Sequence, residues 1–150
     1  MIKGVQVTNK RIIPDDRGKI MHIMKSSDEQ FNTFGEVYCS TVYPGVVKGW
    51  HMHKEMTLNY VVLKGNIKFV LFDGRIDSPN YKEIQEIIIG ENQYVMVTVP
   101  PFVWNGFKGI GLEEAFVINF TDIPHSVDEI VRMDPHQNEL IQYDWSINDR

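Results

Sequence analysis

The chain has 150 residues, 43% of them hydrophobic and 23% charged, with a formal net charge of −5. That length and balance fit a single globular domain over residues 1–150 with one full core. The acidic total without a long basic run argues against general binding to nucleic acid or acidic membranes, and the lone Cys39 excludes an intrachain disulfide. The N-terminus lacks an apolar signal region, and no apolar run approaches the roughly 18 residues of a membrane span. A cytoplasmic protein is expected, with Cys39 as a small buried residue.

In chain order, runs of β-branched and aromatic residues predict short strands over 5–7, 19–24, 36–43, 57–63, 66–72, 83–89, 94–99 and 115–120. Turn chemistry separates them, including Asp15 to Gly18, Pro44-Gly45, Lys64-Gly65-Asn66, Asp73-Gly74 and Pro100-Pro101. Residues 61–68 read as a hairpin with a short glycine-containing loop. No segment keeps a helical period over 11 or more residues; 126–133 fits either a turn or two of helix or an extended run. The pattern predicts an all-β antiparallel sandwich or barrel. The tail from 121 is more polar, yet it keeps Ile130, Val131, Ile141, Tyr143 and Trp145. These are expected to pack on the outside of the barrel or on a partner chain.

Residues 49–65, GWHMHKEMTLNYVVLKG, carry His51 and His53 one residue apart. On a strand, both imidazoles point to one face. Such a pair is either half of a metal site or part of an acid–base site. Gly45, His51, His53 and Gly65 resemble the first motif of the cupin superfamily, whose fold is a jelly-roll β-barrel. That motif's glutamate falls at Leu58, and the histidine of its second motif, matched by PPFVWNGF (100–107), falls at Asn105. Leucine cannot ligate and asparagine is a poor donor, so no metal is expected. Proton chemistry is expected instead, with a neutral histidine as base.

GVVKGWH (45–51) resembles the GVLRGLH signature of the dTDP-4-dehydrorhamnose 3,5-epimerase family. DDRG (15–18), FDGRIDSP (72–79), VPPFVWNGF (99–107) and DEIVRMDP (128–135) resemble further family motifs, in the same order. The resemblance implies a cupin-type jelly roll, a homodimer, and epimerisation of a nucleotide-linked 4-keto-6-deoxyhexose. The protons removed would be those at C3 or C5, next to the C4 ketone, without metal or organic cofactor. It implies that His51 is the base and that Arg17 and Lys48 hold the nucleotide diphosphate. Lys48 replaces an arginine, which keeps the charge and loses the two-pronged fork. The chain departs from the pattern elsewhere. The family's lysine falls at Leu58, and its acidic tyrosine falls at Val117 or Ile118, beside Asn119. The histidine of its AHGF stretch is Asn105, and Asp149 is the nearest stand-in for its histidine-orienting aspartate.

GWHMHK (49–54) also resembles a stretch of the dTDP-sugar 3,4-ketoisomerases, with His51, His53 and Lys54 in register. Three functions are therefore carried: epimerase, ketoisomerase, and a non-catalytic sugar-nucleotide-binding cupin. A carboxylate against the His51 ring would favour catalysis over binding alone. Tyr60 or Tyr38 is the expected acid. The oxyanion partner is open among Lys48, Lys54, Asn105 and Asn119. His53 is a substrate contact; Trp104 reads as a core or interface anchor or, beside Asn105 at a barrel mouth, as a residue that stacks on base or sugar. Trp50 and Trp145 read as core anchors, Arg75–Asp73 as a turn ion pair worth little, and His22, His125 and His136 as surface or structural.

Overall fold

The computed structural model describes residues 1–147. Its strands are β1 (Gln6–Asn9), β2 (Ile12–Asp15), β3 (Gly18–Met21), β4 (Glu36–Val42), β5 (Val47–His53) and β6 (Leu58–Lys64), then β7 (Asn66–Asp73), β8 (Ile84–Gly90), β9 (Val95–Val99), β10 (Val103–Ile110), β11 (Ala115–Thr121) and β12 (Ile130–Arg132). Among the described residues there is no helix. One sheet runs β1-β9-β6-β11-β4 and the other β12-β5-β10-β7-β8; β2 and β3 form a separate hairpin. This is the all-β, jelly-roll cupin architecture that the sequence implies.

Alternation sorts the side chains. Leu58, Tyr60 and Val62 of β6 face Ile67, Phe69 and Leu71 of β7 across the interior, joined by Val95, Val97 and Val99 of β9. Tyr60 therefore points inward. The opposite face of the second sheet carries Trp50, Val70, Phe72 and Trp104, and the tail covers it with Ile141 and Trp145. The apolar tail residues thus pack on the barrel's outside. On the outer face of the first sheet, Val61, Tyr94 and Met96 are covered by Ile12, Met21, Ile23 and Met24, from the β2–β3 hairpin and the chain after it.

Three local readings change, and the open one at 126–133 is decided. β5 and β10 were not among the predicted strand runs, because Gly49, Gly106 and Gly109 dilute their strand composition. The 126–133 segment is extended where it pairs with β5, through β12. Cys39 is exposed rather than buried: β4 is an edge strand, and the side chain lies on its outward face. Asp73 is fully buried, accepting hydrogen bonds from the Arg75 Nε at 2.8 Å and the Ser78 hydroxyl at 2.6 Å. Burial acts to raise its pKa, but these bonds outweigh it and hold the carboxyl below its ordinary value. The Asp73–Arg75 pair is therefore a partly buried staple for the 73–78 loop, more than a surface ion pair.

Candidate active site

Strand β5 builds one wall of a cavity of about 430 Å³. Lys48, His51 and His53 all line it. Strict alternation would put Lys48 and His51, three residues apart, on opposite faces. A bulge resolves this. His51 pairs with Asn105 and Lys48 with Phe107, so Gly49 and Trp50 together oppose Gly106 alone. The extra residue returns Lys48 to the cavity face and sends Trp50 into the outer aromatic cluster. The bulge needs close backbones: a Cβ on Gly49 would lie 2.9 Å from the Gly106 Cα. We expect Gly49→Ala to cost about 1–3 kcal/mol of stability by overpacking and to lower turnover by tilting His51. Unchanged melting and turnover would show that the strand accommodates the methyl group freely.

His51 is half-buried. Burial first, then the positive charges of Arg132, His53 and Lys48, depress its pKa from 6.5 to about 4. The ring is neutral at neutral pH and able to accept a proton. Among the described residues no carboxylate is hydrogen-bonded to the His51 ring, so the feature expected to favour catalysis is not found there; a carboxylate meets the other histidine instead. Glu129 contacts His53 Nδ1, and both residues are buried. The other Glu129 oxygen accepts the backbone N–H groups of Glu55 and Met56, at 3.3 Å each. Burial acts to raise the Glu129 pKa, but the His53 bond and these amides together hold it below its ordinary value.

The facing sheet supplies Glu36, Tyr38 and Ser40 from β4 and Tyr60 from β6. Burial, together with the neighbouring Tyr38 hydroxyl, pushes the Tyr60 pKa well above 10, so it stays a protonated donor. Its hydroxyl lies 3.5 Å from Asn105 Oδ1. Asn105 Nδ2 donates to the His51 carbonyl at 3.1 Å. Asn119 Nδ2 donates to the Tyr38 hydroxyl at 2.9 Å, and its oxygen accepts the Asn59 N–H at 3.0 Å. Both asparagines are buried behind the walls and hold the residues that line them.

The structure thus gathers His51, His53, Lys48, Tyr60 and Tyr38, with Asn105 and Asn119 as their supports. Lys54 Nζ donates to the Asp128 carbonyl at 3.1 Å, outside the cavity lining. Trp104 points into the outer aromatic cluster. Arg17 sits at the tip of the β2–β3 hairpin, its side chain 89% exposed and paired with Asp15 at 2.6 Å. Asp149 lies outside the described residues. Sequence reasoning missed Arg132 and Glu129 and set His125 aside, although Arg132 and His125 line the cavity. The quoted stretch DEIVRMDP contains the first two. Pairing of β12 with β5 sets Arg132 opposite His51 and Ile130 opposite His53. Among the described residues, no three His, Cys, Asp or Glu side chains converge to hold a metal ion.

The chain is 33% identical over 148 residues to a probable low-salt glycan biosynthesis epimerase of Haloferax volcanii, spanning 97% of this chain and 95% of that protein. A dTDP sugar isomerase from Desulfovibrio desulfuricans G20 superposes with a TM-score of 0.94 at 37% identity, over 99% of this chain and 94% of that one. A 3'-monoepimerase from Streptomyces bikiniensis, crystallised with dTDP-quinovose, shares the fold at a TM-score of 0.81 and 17% identity, over 89% of this chain and 71% of that one. The family model for dTDP-4-dehydrorhamnose 3,5-epimerase matches residues 1–150, the whole length of the chain, and the chain belongs to that family.

Proposed function

We propose that the protein epimerises a nucleotide-linked 4-keto-6-deoxyhexose by moving protons at C3 or C5, with no metal or organic cofactor. The observation that carries this reading is the neutral His51 ring facing a cavity that also holds the Tyr60 hydroxyl and two cations, Lys48 and Arg132. A C–H next to a ketone is acidic because the enolate spreads its charge onto oxygen. His51 accepts that proton from one sheet, and Tyr60 on the facing sheet returns one to the other side of the carbon, inverting it. Lys48 and Arg132 supply the positive charge a diphosphate needs. The epimerase and isomerase names of the relatives in Haloferax and Desulfovibrio support the same chemistry.

A 3,4-ketoisomerase is favoured by one observation, the two histidines lining the same wall. The product decides between them. With dTDP-4-keto-6-deoxyglucose, NMR should show a C3 or C5 epimer that keeps the ketone at C4. A 3-keto product would establish the ketoisomerase. Binding with no conversion would establish a sugar-nucleotide-binding protein. We read the working form as a cytoplasmic homodimer; β4 is an edge strand whose own Val37 is exposed, an edge a second copy would cover.

Lys48→Ala should raise KM by about tenfold or more, the worth of a charge-assisted contact, while kcat changes less. A fall in kcat at constant KM would remove Lys48 from the diphosphate role.

A further inference from the structure

The enolate oxygen still needs a partner. The family's lysine slot holds Leu58, which is buried in the core. Of the candidates the sequence offers, Lys54 is spent on the Asp128 carbonyl, Asn119 on Tyr38 and Asn59, and Asn105 on the His51 carbonyl. Lys48 and Arg132 are the cations assigned above to the diphosphate. His53 stands beside the base on the same wall. It lines the cavity, and Glu129 occupies its Nδ1, which leaves Nε2 as the ring nitrogen for the cavity. A buried carboxylate is stable only when paired, and the group in contact with Glu129 that can carry positive charge is His53. His51 and His53 stand roughly 7 Å apart along one strand face, a span that fits a carbon and the neighbouring carbonyl oxygen of one sugar.

We propose that His53, held by Glu129, is the proton donor to the C4 ketone oxygen, and that Glu129 is its positioning residue. This rests on the epimerase reading. His51 takes the proton from C3 or C5. The C–H electron pair becomes a C=C bond to C4, and the carbonyl π pair moves to oxygen, which takes the Nε2 proton of the His53 imidazolium. The site then holds protonated His51, neutral His53 and a neutral enol. Tyr60 gives its proton to the opposite face of the carbon, and the enol O–H returns its proton to His53. The proton on His51 passes to the Tyr60 oxygen through solvent, and the site is reset.

The groups that share the cavity with His53 are His51 and Lys48 of β5, Glu36 and Tyr38 of β4, Tyr60 of β6, Arg132 of β12, and His125 in the chain before it, with Glu129 against the ring. Loss of Glu129's charge should outweigh the rest, because it alone touches Nδ1.

Two readouts test the assignment. In kinetics with dTDP-4-keto-6-deoxyglucose, His53→Gln should lower kcat about 10²- to 10³-fold, the range for losing an oxyanion donor, with KM within a few-fold. Glu129→Gln should lower kcat and move the alkaline limb of its pH profile to lower pH, because the imidazolium loses its counter-charge; Glu129→Asp should restore part of both. The second readout needs no turnover: nitrogen-15 histidine NMR of the wild type at pH 7 should show His53 protonated on both nitrogens. An active wild type whose His53 is a single neutral tautomer would overturn the donor role and leave the epimerase standing. So would His53→Gln changing only KM, or Glu129→Gln losing stability with an unmoved alkaline limb. A wild type that binds the sugar nucleotide but never exchanges its protons would overturn the reaction and, with it, the donor role, whatever the state of His53.

Discussion

His51→Asn should lower kcat/KM about 10²- to 10⁴-fold, the contribution of a positioned general base, while leaving the melting temperature nearly unchanged. Asparagine fits the half-buried space, and the structural bond at this position, from Asn105 Nδ2, goes to the His51 backbone carbonyl rather than its ring. The wild type should also show an unusual acid limb. The base works in its neutral form, and burial with the Arg132, His53 and Lys48 charges sets its pKa at about 4. The limb in kcat/KM, which reports the free enzyme, should therefore lie near pH 4 rather than near 6.5. The limb in kcat should lie higher, because a bound diphosphate neutralises Lys48 and Arg132. Folding stability carries the same signature: between pH 6.5 and about 4 the unfolded chain takes up this proton first, so stability falls as pH drops through that window. A limb near 6.5 in kcat/KM, or an active His51→Asn, would remove His51 from the role of base.

Trp50→Ala should cost about 3–5 kcal/mol, the largest stability loss among the substitutions considered. Trp50 is fully buried, with its ring centroid 5.0 Å from that of Trp145 and 6.1 Å from that of Tyr143. Truncation removes the platform on which the tail docks. Trp50→Phe should cost much less. The Trp50 Nε1 is buried without a hydrogen-bond partner, and phenylalanine keeps most of the ring while removing that unpaired donor. Urea midpoints of the two variants measure the difference. Equal losses would mean that a phenyl ring recovers nothing here and that the whole indole is what Trp145 and Tyr143 pack on.

The fold was legible where turns and β-branched runs alternate, as from β6 through β9, and in the order of five short motifs. It was less legible in β10, and in β5 outside its histidine pair, where glycines serve a close backbone approach and dilute the strand composition. In the site, period two alone placed His51 and His53 together. It could not place Lys48, because the bulge at Gly49 and Trp50 adds a residue that composition does not announce. The same period held information about Trp104: as Asn105's neighbour on β10 it had to face the other way, into the aromatic cluster. Glu129 lies 76 positions from His53, and only the pairing of β12 with β5 brings them together. The asparagines were read as substrate contacts because they sit in motif positions; their amides instead hold His51 and Tyr38 from behind.

The central claim is proton exchange at a sugar carbon beside a ketone, and it is tested most directly in heavy water. The wild type would be incubated with dTDP-4-keto-6-deoxyglucose and the ring protons followed by NMR. The account predicts deuterium entering at C3 or C5, with exchange slowed at least a hundredfold in His51→Asn. Ring protons that persist for hours under conditions where the sugar nucleotide is shown to bind would contradict it.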